Sequence, residues 1–143
     1  MLHVGRWIAL ALTVSALPLS ACQGTPEEDL AAENGPAKVE PLAGTDVSRV
    51  TLTAKAAERL DIQTTRVRGG QGGTIIPYAA VVYDPNGETW TYTSPEPLTF
   101  VRQPIAVDRI EGDRAFLADG PPPGTAVVTV GVAELYGAEL GVE

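Results

Sequence analysis

A mostly β fold is what this sequence predicts: a small twisted β-barrel or roll of about six to seven strands, with one short N-terminal helix. Three observations carry that expectation. Beyond residue 61 the apolar runs are short and rich in Val, Thr and Ile. Turn signals built from Gly, Pro, Asn and Asp separate them, and the clearest run alternates with a period of two. No internal repeat and no heptad pattern competes with this reading.

The elements follow in order. Val50-Thr51-Leu52 opens in an extended form. Thr53 then suits a helix N-cap, since its hydroxyl can accept from an early unpaired N–H. Leu52, Ala56 and Leu60 fall four apart, on one side of a brief helix through Leu60. Ile62 to Arg68 reads as a strand, and Gly69-Gly70-Gln71-Gly72-Gly73 as a flexible link with little to pack. Thr74-Ile75-Ile76 is a strand ending at Pro77, and Tyr78 to Tyr83 is a second apolar run. Asp84-Pro85-Asn86-Gly87 is a strong turn, because proline presets φ and Asn-Gly tolerates positive φ. Thr89 to Thr93 returns with Trp90 and Tyr92 on one face and the threonines on the other. Phe100 to Ile110 alternates, and its Pro104 marks an edge strand or a bulge. Glu111-Gly112-Asp113 turns into Arg114 to Ala118, and Asp119 to Gly124 makes a stiff proline loop. Thr125 to Gly131 is a final strand. Val132 to Leu140 is either a terminal helical turn or a last extended edge.

The N-terminus has another character. Arg6 is followed by the uncharged, mostly apolar run Trp7 to Leu17, then Pro18 and the small residues Ser20 and Ala21. Charged front, short apolar middle and small-residue exit make a secretory signal over residues 1–21. The apolar stretch is about 15 residues, short of the roughly 20 that cross a bilayer as a helix. Leu19-Ser20-Ala21-Cys22 resembles the lipobox of bacterial lipoproteins, which implies cleavage before Cys22 and a diacylglycerol thioether on its sulfur. The bland alternative is an ordinary cleaved signal with a stray thiol, but an unpaired cysteine is a liability in an oxidising compartment. The expected location is therefore the extracytoplasmic face of a cell membrane, held through the lipid. Residues 23–45 hold five glutamates and aspartates among prolines and glycines, with few large apolar residues. Such a composition predicts a disordered tether over residues 22–45, leaving one β domain over residues 46–143.

The chain has 10 basic and 18 acidic side chains, a formal net charge of −8. No run of Lys and Arg appears, which argues against nucleic acid or an anionic membrane face as ligand. The exported form has no imidazole, because the one histidine, His3, leaves with the signal. That excludes Ser-His-Asp and Cys-His catalysis, and a lipidated Cys22 is no nucleophile. The only methionine is Met1, so no soft-metal ligand set remains, and no cofactor is expected. Asp108, Glu111 and Asp113, and likewise Asp84 and Glu88, read as turn-capping groups rather than an acid–base pair. The glycine tract lacks the Lys-Ser/Thr of a phosphate loop.

From Thr74 onward the chain resembles the membrane-proximal domain of membrane fusion proteins, the periplasmic adaptor subunits of efflux pumps and some ABC exporters. The resemblance rests on Ile76-Pro77, Ala80-Val81-Val82, the Asn86-Gly87 hairpin and Arg102-Gln103-Pro104-Ile105-Ala106-Val107. It continues through Gly112-Asp113, Gly120 to Gly124 and Val127-Val128-Thr129-Val130-Gly131. Val50 to Val67 is similar to the strand-helix-strand that opens many such adaptors. The family's barrel, lipoyl-like and helical hairpin domains would lie where only Gly69 to Gly73 stands here. The resemblance implies a lipid-anchored, non-catalytic accessory subunit of an efflux or export system, whose partner is a membrane permease or an ABC- or RND-type transporter. The contact surface is expected around Trp90, Tyr92, Phe100 and Tyr136. The alternative is a free-standing surface lipoprotein that binds a cell-wall glycan or small ligand.

Overall fold

The computed structural model describes residues 35–141. Its first half runs β1 (Ala37–Pro41), β2 (Ser48–Leu52), α1 (Ala54–Arg59), β3 (Gln63–Arg66), β4 (Arg68–Gly70) and β5 (Gly73–Pro77). A 3₁₀ turn (Tyr78–Ala80) leads to β6 (Val82–Tyr83), β7 (Thr89–Glu96), β8 (Thr99–Pro104), β9 (Ala106–Glu111), β10 (Arg114–Asp119), β11 (Ala126–Val130) and α2 (Val132–Leu140). The fold is mostly β, in two antiparallel sheets. The larger runs β1-β2-β8-β7-β11-β3 with β6 against β7, and the smaller runs β4-β5-β10-β9. Neither sheet closes, so the expected barrel gives way to two open layers with eleven strands among the described residues.

Two buried corners join the layers. Val67 separates β3 from β4, and Ile105 separates β8 from β9; at each, the chain leaves the larger sheet for the smaller. Both side chains are buried in the cluster between the sheets, with Ile76, Ala115, Leu117 and Val127. Strands that switch sheets at a bend are how two packed sheets turn a corner. Pro104 is neither on an edge nor in a bulge: it closes β8 opposite Trp90, and the next N–H, of Ile105, donates to Thr89 O at 2.9 Å. The single strand expected over Phe100 to Ile110 is therefore two.

Successive residues of a strand point to opposite faces, so Val127 and Val128 define two cores. Val127 faces the small sheet, while Val128 joins Val50, Leu52, Tyr92 and Phe100 under Ala56 of α1 and Leu135 of α2. The larger sheet is thus covered on both sides. The threonines of β7 lie on the face opposite Tyr92, as expected, and that face is covered too: Thr91 is 0% and Thr93 9% exposed, because they face the second layer. Thr93 Oγ1 donates to Val101 O at 3.1 Å.

Thr53 caps α1 as its hydroxyl chemistry predicts, accepting from the Ala56 N–H at 3.2 Å. Val132 to Leu140 settles as a helix, entered through Gly131 at φ +83°, where a Cβ would also lie 2.1 Å from Ile62 Cδ1. Two further expectations are corrected. Ala37–Pro41, assigned to the tether, is β1 and pairs in register with β2 from Ala37↔Leu52 to Pro41↔Ser48. Its Lys38–Glu40 ion pair, at 3.0 Å, is the charged decoration that protects an edge strand and that composition alone reads as disorder. The glycine tract is a hairpin, with Gly70 opposite Gly73 and Gly72 at φ +83° in the turn. A Cβ on Gly73 would sit 1.9 Å from Leu117 O, so glycine there permits β5 to approach β10. β3 pairs with β11 through Arg66↔Ala126, Thr65↔Val127 and Thr64↔Val128, which puts the opening segment and the C-terminal strands in one sheet.

Candidate functional site

Tyr92 of β7 stands opposite Arg102 of β8 in register, and both reach towards α2. There they meet Glu139. Arg102 Nε lies 3.3 and 3.2 Å from the two carboxylate oxygens, and the Tyr92 hydroxyl donates to Glu139 Oε2. The Ser48 N–H donates to Glu139 Oε1 at 3.1 Å, and Arg102 Nη2 donates to Asp46 O at 3.4 Å. The Arg102 and Glu139 side chains are 7% and 1% exposed. Burial, then the hydrogen bond to Glu139 and its charge, push the Tyr92 phenol far above its ordinary range, against a smaller opposing effect of Arg102. This triad fastens α2 to the middle of the larger sheet.

Above the triad, between the Asp84–Glu88 turn, β8 and α2, a cleft of about 570 Å³ opens to solvent. Trp90, Pro104, Tyr136 and Leu140 give it apolar walls. The Arg102 guanidinium lies 4.3 Å from the Trp90 ring centroid and 5.6 Å from that of Tyr136, a stacked cation already neutralised by Glu139. Trp90 Nε1 is buried, and its N–H is directed at the Asp84 carboxylate without a hydrogen bond of full geometry.

The rim is acidic. Asp84 Oδ1 accepts from the N–H groups of Asn86 at 2.9 Å and Glu88 at 2.8 Å. Desolvation works to raise the Asp84 carboxyl, but those two backbone donors, with the side chains of Trp90 and Asn86, outweigh it and hold it below its usual range. Asp84 is therefore ionised at neutral pH. Asp46 and Glu88 add to it, and among the described residues Arg102 is the one cation lining the cleft.

The four aromatics expected on a contact surface divide in two. Trp90 and Tyr136 line the cleft, whereas Tyr92 at 0% and Phe100 at 2% exposure are sealed in the core and offer a partner no side-chain surface. Their strands are central and covered by α2, which the local pattern does not reveal. Cys22 lies outside the described residues. Arg102 and Glu139 escape sequence reasoning altogether, since they stand 37 positions apart with no motif around either. Asp108 and Glu111 do not cap turns; both pair with Arg109, at 2.9 and 2.7 Å, on an exposed strand. No helix among the described residues is long and apolar enough to cross a membrane. Comparison with protein-family models, with curated proteins and with solved structures finds no match.

Proposed function

We propose that this chain is a lipid-anchored, non-catalytic accessory domain of a membrane export system, docking on the extracytoplasmic part of a permease through the Trp90–Tyr136 cleft. The observation that carries the reading is an apolar cleft walled by Trp90, Pro104, Tyr136 and Leu140, with the ionised Asp84 on its rim. The ionised Asp84, with Asp46 and Glu88, favours a segment carrying Lys or Arg beside an apolar side chain. The residues lining the cleft include no histidine, cysteine or lysine, so binding suits it better than catalysis. Two further features support the reading: the Leu19-Ser20-Ala21-Cys22 signature, and the pairing of β3 with β11, which the adaptor resemblance requires.

A glycan platform is the less favoured reading, because one face of the Trp90 ring is taken by Arg102 at 4.3 Å. Mild crosslinking in the native membrane, followed by purification of the chain, tests the proposal. A co-purifying permease is expected. Recovery of the chain alone, or with cell-wall glycan, overturns it.

A further inference from the structure

The fold assembles a cationic face that has no counterpart in the linear sequence. Arg66 at the end of β3, Arg68 in β4 and Arg114 in β10 line one hollow of about 120 Å³, together with Ile75, Ile76 and Pro77. Among the described residues Asp113 is the one carboxylate lining it. None of the three arginines forms an ion pair among the described residues, whereas Arg102 and Arg109 do. Arg66 donates to Gly124 O at 2.8 Å, a neutral acceptor that leaves its charge uncompensated. The hollow continues along the outward face of the small sheet, where Arg68, Ile75, Phe116 and Arg109 stand in one cross-strand row. Arg109 covers the Phe116 ring at 3.9 Å and Arg114 approaches it at 5.7 Å, but Arg109 is spent on Asp108 and Glu111.

The Tyr78 N–H donates at 2.8 Å to the backbone oxygen of Asp113, a residue that lines the hollow, and Tyr78 is 42% exposed. Uncompensated arginines around an apolar floor, with the exposed Tyr78 next to Pro77 in the chain, form the combination that suits a lipid–water interface.

We infer that this face binds the phosphate groups of anionic phospholipids, so that the domain rests on the membrane in one orientation. The inference leans on the lipid-anchored reading only for bringing the face near a bilayer. Cys22 precedes Ala37 by 15 positions, so the anchor and β1 stand at most about 50 Å apart whatever path joins them. Nucleic acid carries the same phosphate chemistry, but a chain of net charge −8 repels a polyanion longer than one small patch. A membrane needs to meet only the cationic face, with the acidic remainder turned away beyond the Debye length of about 8–10 Å.

The test uses the full chain as exported and processed by its cell, mixed with vesicles of phosphatidylcholine alone or of phosphatidylcholine with phosphatidylglycerol, with no permease present. Backbone hydrogen exchange is the readout. Slower exchange is expected in the β4–β5 hairpin and the β9–β10 turn only with phosphatidylglycerol. The docked-to-undocked ratio should fall about fivefold for each of Arg66→Gln, Arg68→Gln and Arg114→Gln. Unchanged exchange in β7 and β8 verifies that the variants fold. Equal exchange in both lipids, or protection retained in the triple variant, overturns the inference. So does equal protection by inorganic phosphate or by single-stranded DNA without lipid, since either then accounts for the face. Failure here leaves the cleft reading standing, because no transport partner takes part.

Discussion

Replacing Arg102 with methionine leaves Glu139, whose side chain is 1% exposed, with the Tyr92 hydroxyl and the Ser48 N–H as its remaining partners. Breaking a buried ion pair from one side strands a charge in a poorly solvated site, which costs about 3–5 kcal/mol. The lost stacking on Trp90 is contained in that figure. Against a total stability of about 5–15 kcal/mol for one small domain, this is a fifth or more, and it lowers Tm by roughly 15–30 °C. The triple variant Arg102→Met/Glu139→Leu/Tyr92→Phe removes both charges and the phenol together. It should return to within about 2 kcal/mol of the parent, because apolar groups of similar volume often replace a buried charged cluster without loss. Urea unfolding followed by far-ultraviolet circular dichroism reads both values. A single-variant cost below about 1 kcal/mol, or a triple variant as unstable as the sum of its parts, would refute the reasoning.

Other outcomes follow from the same structure. The folded-state pKa of Tyr92 is raised above the ordinary 10.0. Its contribution is therefore complete below pH 10 and drains away as the pH rises beyond it, by up to about 1.4 kcal/mol per pH unit; urea midpoints measured across pH 9–11 should show this slope (about 10 being the reference value), and Tyr92→Phe should abolish it. The Asp84 carboxyl is held below its ordinary 3.8, so what it gives the turn is complete above that value and is lost on further acidification; the amide signals of Asn86 and Glu88 should report the loss, and Asp84→Asn should remove it. Gly73→Ala drives a Cβ to 1.9 Å from Leu117 O and should cost about 1–3 kcal/mol or more. Gly72→Ala meets nothing within 4 Å and should cost only the left-handed backbone penalty of about 1–2 kcal/mol, a ranking that parallel melts can check. Cys22→Ser should move the chain from the membrane pellet to the soluble fraction, and an unchanged pellet would remove the lipid anchor from the account.

What local chemistry controls was legible before the fold was known. The Thr53 cap, the Leu52-Ala56-Leu60 stripe and the Asp84-Pro85-Asn86-Gly87 turn each depend on residues within a few positions of one another, and each stands as expected. What depends on the second layer was not. Alternation separates Thr91 and Thr93 from Trp90 and Tyr92, but nothing local announces that a second sheet covers the threonine face as well. Val67 and Ile105 are ordinary strand residues until two sheets meet at them. Charged Lys38 and Glu40 mask an edge strand whose stability comes from its partner β2. At the cleft, Trp90 and Tyr136 were found as aromatics, while the pairing of Arg102 with Glu139 is a tertiary fact. The cationic hollow is the same lesson on the surface: Arg66 and Arg68 meet Arg114 only because β5 carries the hairpin beside β10.

The central claim is that the Trp90–Tyr136 cleft receives a segment of a membrane transport protein. A photo-crosslinking amino acid placed at Asn86, on the exposed rim, captures in living cells whatever occupies it. The account predicts a covalent product with an extracytoplasmic segment of a permease, rich in Lys or Arg, that disappears when Trp90→Ala is added. A product with no transport protein in it, or one that survives Trp90→Ala unchanged, would contradict the account.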